Sequence, residues 1–266
     1  MIDFASIHER LWSGSYGIYF HGFKVADYGG LLAFRVGRLH HFYMIKIALN
    51  IKLDYQIYAE FRDFSVLGVD FGLQIKKNHP DINLKNYKKY IDEFYKENGA
   101  AIEISTSELS GTINQKSDLY FTAIKKYFGV DYSKENYKGY ISIFDCNPRF
   151  VDDKSFQVFY EKSGLDKLRV CFHEITHFTF FDYFEKLLPA KYESLDRNSG
   201  VLWELSEIIN VILLNEPEFR SILQKEEKLF YPSLENKFKE IKTIWINSDK
   251  RLDSNFMQKS LAYLAH

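Results

Sequence analysis

The run Leu168–Phe184 constrains this chain more than any other stretch. Leu168, Val170, Cys171, Phe172, Phe178, Phe180 and Phe181 are apolar, yet His173, Glu174 and His177 stand among them. The spacing predicts a helix from about Leu165 to Leu188, ended by Pro189. A helix apolar on nearly every side must be buried, and buried imidazoles and carboxylates are costly unless something pairs them. His-Glu-Ile-Thr-His reads HExxH, with the histidines four residues apart. That is one helical turn, so both rings share a face and can hold one Zn²⁺ at about 2.0–2.1 Å. Glu174 then reaches a water on the metal, the place of a general base in a metal-assisted hydrolase. The bland reading is a chance match forming a solvent-facing polar stripe on an otherwise buried helix.

A catalytic zinc site takes three protein ligands and keeps one position open. The metzincin continuation needs Gly and His where this chain has Phe180 and Tyr183, and the next histidine is His266 at the terminus. The remaining source is a carboxylate on a later helix. Val201–Leu214 is apolar on nearly every side, is ended by Asn215 and Pro217, and carries only two charges, Glu204 and Glu207. Both are candidate ligands, because a buried glutamate asks for a cation. The alternative is a glutamate bonded to a tyrosine or a backbone group. Asp182, Glu185, Glu193 and Asp196 read as solvated charges.

HExxH followed by a second helix with a ligand glutamate resembles the gluzincin group of zinc metallopeptidases. Leu205-Ser206-Glu207 resembles the Leu-Asn-Glu of its aminopeptidase branch, with Trp203 just upstream. The wider pattern also resembles uncharacterised predicted bacterial metallopeptidases. The resemblance covers about residues 165–215 and implies that Glu207, rather than Glu204, is the third ligand of a zincin-like site. There are departures. His177 and Glu207 are 30 residues apart, longer than the common gluzincin spacing. Where gluzincins often carry an acid that bonds a zinc histidine, this chain has Val211, leaving Asn210 or Ser206 for that task. The aminopeptidase branch's Gly-rich exopeptidase loop is not recognisable.

Around this centre the chain reads as α+β, with a mixed part over 1–163 and a helical part over 164–266 that form one compact unit. Ser13-Gly14-Ser15-Tyr16-Gly17 suggests a loop, Ile18–Val25 a short strand, and Leu31–Leu49 an amphipathic helix carrying His40 and His41. Adjacent histidines point to opposite sides and chelate poorly. Tyr55–Ile75, with Gly68 and Gly72, suggests strands with a turn, and Leu84–Phe94 a helix closed by Asn98-Gly99. Ala101–Ile104 reads as a strand, and Asp118 as the cap of a helix stopped by Gly129. Tyr140–Phe144 and Phe156–Tyr160, joined by Asp152-Asp153-Lys154, read as a hairpin. Lys191–Gly200 reads as a polar loop. Three shorter helices follow, near Pro217–Gln224, Ser233–Ile246 and Ser254–Ala265.

Of the 266 residues 46% are apolar, enough for a sizeable core, and the formal net charge is −1. Such a balance offers no global attraction to nucleic acid or to an anionic membrane. Arg35, Arg38 and Lys46 interrupt the most apolar early stretch, and no signal peptide is recognisable, so the expected location is cytoplasmic. Cys146 and Cys171 fit free thiols, with a disulfide left open.

The expected activity is a zinc-dependent peptidase-like hydrolase acting on a peptide or protein, with Glu174 activating water. Tyr231 and Tyr263 are available as transition-state donors, and Phe156–Tyr160 as the edge strand that pairs with an extended peptide. The rivals are a non-catalytic zincin-like metal-binding or regulatory protein, and a hydrolase of a non-peptide amide.

Overall fold

The structure, a computed structural model, describes residues 45–266. The loop at 13–17, the strand at 18–25 and the His40–His41 pair lie outside these residues. So does most of the helix expected over Leu31–Leu49. Its described end is instead a strand, β1 (Ile45–Leu49), in which Ile45, Ile47 and Leu49 recur at period two. β1 runs parallel to β4 (Tyr137–Ser142), from Ile45 opposite Tyr137 to Leu49 opposite Ile141.

Strands expected over Tyr55–Ile75 are replaced by two helices and a small hairpin. α1 (Ile51–Phe61) is capped by the Asn50 side chain, which accepts from the Leu53 amide, and buries Asp54, Ile57 and Tyr58 at helical spacing. β2 (Ser65–Val66) and β3 (Val69–Asp70) turn at Leu67-Gly68, both at positive φ, before α2 (Phe71–Asn78).

α3 (Tyr87–Phe128) is one helix of 42 residues, about 63 Å long at 1.5 Å per residue. It absorbs the Asn98-Gly99 stop, the Ala101–Ile104 strand and the Asp118 cap expected from sequence. Its two interior glycines, Gly99 and Gly111, cost about 1 kcal/mol each, too little to break it. One buried stripe spans the expected breaks: Ile91, Tyr95, Ile102, Leu109, Ile113, Tyr120, Ile124 and Phe128. Gly129 does stop the helix, at φ +68°.

The sheet has the order β1-β4-β6-β5. β5 (Arg149–Phe150) and β6 (Ser155–Phe159) form the antiparallel hairpin across the turn at 151–154, whereas β4 and β6 are parallel. The expected hairpin between Tyr140–Phe144 and Phe156–Tyr160 is therefore corrected. The chain leaving β4 passes beyond the position of β6, forms β5, and returns between the two. That also removes Phe156–Tyr160 as a free edge. β6 is flanked by β4, by β5 and by Asn147, whose side chain accepts from the Phe159 amide at 3.0 Å. Gly139 in β4 is required by this packing, since a Cβ there would lie 2.5 Å from Ile47 Cδ1 and 3.0 Å from the Phe156 ring. Beneath the sheet, fully buried Asp54 accepts hydrogen bonds from Tyr95, Ser142, Gln157 and the Ile143 amide, tying α1, α3, β4 and β6 together.

After the sheet the chain is helical, as expected: α4 (Gly164–Leu187), α5 (Pro189–Glu193), α6 (Gly200–Leu214), α7 (Pro217–Leu223), α8 (Glu235–Asn247) and α9 (Ser254–Leu264). The polar loop expected from Lys191 opens within α5. α4 starts where Ser163 accepts from the Asp166 amide. One face of α4 meets α3, where Tyr120 stacks on Phe172 at 4.0 Å and its hydroxyl bonds Thr176 at 2.8 Å. Another meets the sheet, with Phe178 against Tyr137 and Phe156. The apolar core runs unbroken across residue 163, giving a mixed α+β architecture. Cys146 and Cys171 are both free and buried. Among the described residues no helix is long and apolar enough to cross a membrane.

Candidate metal centre

The third face of α4 meets α6, and there the polar residues of both helices converge. His173 and His177 turn their Nε2 atoms toward each other at 3.1 Å. Glu207 of α6 faces the same point, 3.8 Å from His173 Nε2 and 3.5 Å from His177 Nε2. These three residues offer ligand atoms that all lie within 4.8 Å of one another. Glu204 is not among them. One turn earlier on α6, it ion-pairs with Lys237 of α8 at 2.6 Å. Asp182 pairs with Lys154, Asp196 bonds Ser199, and Glu185 and Glu193 are exposed, so none of them joins the centre.

The other nitrogen of each ring is occupied. His177 Nδ1 lies 3.1 Å from Ser206 Oγ, which itself donates to the Trp203 carbonyl, so Ser206 takes the orienting place left open by Val211. Asn210 works differently from the sequence expectation: its amide donates to the His173 backbone carbonyl at 2.9 Å and locks α6 to α4. His173 Nδ1 meets Glu227 Oε1 at 3.1 Å. With both Nδ1 atoms tied, both Nε2 atoms are left to face Glu207, the arrangement that ligand histidines need.

Glu227, Arg169 and Arg149 were not singled out by sequence reasoning. Glu227 lies in Lys225-Glu226-Glu227-Lys228, a run that reads as solvated charge. It is buried because Asn215, the C-cap of α6, grips its backbone: the Asn215 side chain donates to the Glu227 carbonyl and accepts from its amide, at 2.8 and 3.1 Å. Arg169 Nη1 bonds both Glu227 oxygens, at 3.0 and 2.9 Å. Arg149, at the start of β5, sets Nη1 2.8 Å from Glu207 Oε1 and 3.9 Å from Glu174 Oε2. A usable signal was composition: the chain has 9 arginines against 26 lysines, and arginine suits buried ion pairs better.

Burial, opposed by His173 and Arg149 and reinforced by Glu207 and Glu227, lifts the Glu174 carboxyl to about 7. Its Oε2 is buried with no hydrogen-bond partner, a cost that an incoming donor would relieve. Burial opposes charge on Glu207 too, but His177, Arg149 and His173 hold it well below the usual carboxylate range. The rings differ. Burial disfavours the His173 cation, yet Glu207 and Glu227 outweigh it and lift the imidazole to about 10. Burial, reinforced by Arg149, keeps His177 neutral.

The centre opens into a cavity of about 460 Å³ lined by His173, Glu174, Glu207, Arg149 and Tyr231, with Phe61, Phe64, Phe71 and Phe230 on its apolar side. Tyr231 thus stands beside the centre, and burial, then Glu207, raises its hydroxyl far above the ordinary tyrosine value. Tyr263, partly exposed on α9, does not line this cavity. No protein-family model, curated protein or solved structure matches this chain.

Proposed function

We propose that the protein is a zinc-dependent, metallopeptidase-like hydrolase of zincin-like architecture, with His173, His177 and Glu207 as metal ligands and Glu174 as general base. The observation that carries the reading is the meeting of two Nε2 atoms and one carboxylate on one point, beside a buried carboxylate oxygen that has no hydrogen-bond partner. The donor set suits the metal: two imidazoles and one carboxylate are a catalytic zinc set, and both imidazoles are oriented from behind. A bound Zn²⁺ would supply Lewis acidity toward water and a carbonyl oxygen. The remaining work falls to the chain. Glu174 takes a proton from the attacking water and returns it to the leaving amine, a task suited to a carboxyl lifted toward neutrality by burial. Tyr231 lines the cavity where the carbonyl would lie. β5 is the sheet edge beside the centre and the place for an extended peptide, in the role first expected of Phe156–Tyr160.

The contact between Arg149 and Glu207 favours a second reading, a non-catalytic protein whose buried charges balance one another. Metal analysis of the purified full chain separates the two. Wild type and Glu174→Gln are expected to hold about one equivalent of zinc, and His173→Ala and Glu207→Gln to lose it. Glu204→Gln should keep it. Casein hydrolysis by wild type but not by Glu174→Gln completes the test, whereas equal zinc and equal activity in those two proteins sinks the catalytic claim.

A further inference from the structure

We propose that Arg149 receives the oxyanion formed from the scissile carbonyl, which makes it a catalytic residue of the hydrolysis proposed above; the inference rests on that reading. Its side chain is only 12% exposed, and it lines the cavity that holds His173, Glu174 and Glu207. The other cations near the centre are engaged: Arg169 by Glu227 and Lys162 by Asp145 at 2.6 Å. Arg149 is, among the described residues, ion-paired through Nη1 alone, with Glu207 at 2.8 Å and Glu174 at 3.9 Å. Among the described residues its sole hydrogen-bond acceptor is Glu207, and its Nε is buried with no partner at all. When Glu207 turns its charge to a metal ion, the guanidinium stays in place with donors to spare. Buried guanidinium donors without acceptors are costly, so an oxygen that accepts from Arg149 is favoured there.

Position decides which oxygen. Nη1 lies between the base and a metal ligand, 3.9 Å from Glu174 Oε2 and 2.8 Å from Glu207 Oε1. A group that meets Arg149 there is at the reacting atoms, so a carboxylate one residue away along a peptide is too distant. The guanidinium is fixed by the hairpin before substrate arrives, the preorganised charge that stabilises a developing oxyanion. In the step itself, water oxygen bonds to the carbonyl carbon, and its proton goes to Glu174. The carbonyl π pair moves onto oxygen, where Arg149 donates to it. On collapse that pair returns, the C–N bond breaks, and the Glu174 proton goes to the departing amine, giving a carboxylic acid and an amine.

The test uses the full chain loaded with Co²⁺, whose visible spectrum reports ligand binding without any need for turnover. Inorganic phosphate serves as a tetrahedral oxyanion and imidazole as a neutral ligand for the same metal. Arg149→Met should weaken phosphate roughly tenfold or more, the equivalent of one charge-assisted hydrogen bond, and leave imidazole unchanged. Arg149→Gln, which keeps a polar group at the position, should show the same split and decides the matter if the methionine variant does not fold. Phosphate affinity equal to wild type overturns the proposal. So does an equal loss for phosphate and imidazole, which would make Arg149 a support for the fold. Failure of wild type to take up Co²⁺ overturns the metal-centre reading itself, a result distinct from either.

Discussion

Replacing Glu227 by glutamine removes one charge from behind the proposed metal centre while keeping the shape of the side chain. The amide oxygen can still accept from His173 Nδ1, now at 3.1 Å from the carboxylate, so the ring keeps its orientation. What is lost is the negative charge that makes the imidazole a better donor, and one of the two Arg169 contacts, that at 2.9 Å to Oε2, which becomes donor against donor while the one at 3.0 Å to Oε1 is kept. Removing such an outer carboxylate typically weakens metal binding by 10- to 100-fold, or about 1.4–2.8 kcal/mol. The Arg169 side chain is 25% exposed and keeps Asp166 at 3.7 Å, so water and that carboxylate absorb part of the imbalance. The loss should therefore sit toward the lower end of the range. The assay is competition for Zn²⁺ against a chromophoric chelator, with the melting temperature of the metal-free protein as control. Zinc affinity equal to wild type would refute the reasoning, as would a fall in metal-free stability unaccompanied by any loss of affinity.

Three further outcomes follow from the packing. Gly139→Ala should destabilise the protein by about 1–3 kcal/mol in denaturant titrations, because its Cβ meets Ile47 and Phe156 in a filled interior. Tyr120→Phe removes the hydroxyl that bonds Thr176 and the Phe172 carbonyl and should cost about 1 kcal/mol by the same measurement, with zinc content unchanged. Burial raises the Asp54 carboxyl above 3.8, so the native state holds that proton more tightly than the unfolded chain does. The stability of wild type relative to Asp54→Asn should therefore rise as pH falls through the native value and level off below about 4. A flat difference between pH 7 and 4 counts against that account.

What could be read in the sequence was whatever is set by local chemistry. α4 announced itself through apolar residues recurring around His173 and His177 and through the stop at Pro189, and α6 through a second apolar run closed by Asn215. Glu204 and Glu207 were both legible as candidates because a carboxylate in such a helix needs a partner, and only the resemblance of Leu205-Ser206-Glu207 separated them. Pairing across distance was not legible. Nothing local distinguishes Tyr140–Phe144 and Phe156–Tyr160 as hairpin partners from parallel neighbours, since the order is set by β5 closing the edge. Gly99 looked like a stop because its neighbours suggest one, yet the stripe from Ile91 to Phe128 continues past it. Arg149 and Glu227 were hidden for a related reason: each sits in a loop or at a strand end, and only the tertiary fold buries it.

The segment at 225–231 does two jobs along one short length of backbone. Its first half brings a carboxylate behind His173, while Leu229, Phe230 and Tyr231 form a wall of the cavity. Asn215 pins one end and the turn at Pro232–Leu234 the other. If the proposed zinc binds through His173, the ring fixed on the metal would in turn fix Glu227, and with it the strap and the wall. Cleavage by trypsin after Lys225 or Lys228 should accordingly slow when zinc is added, so that ion uptake can be followed as protection of a peptide bond outside the coordination sphere.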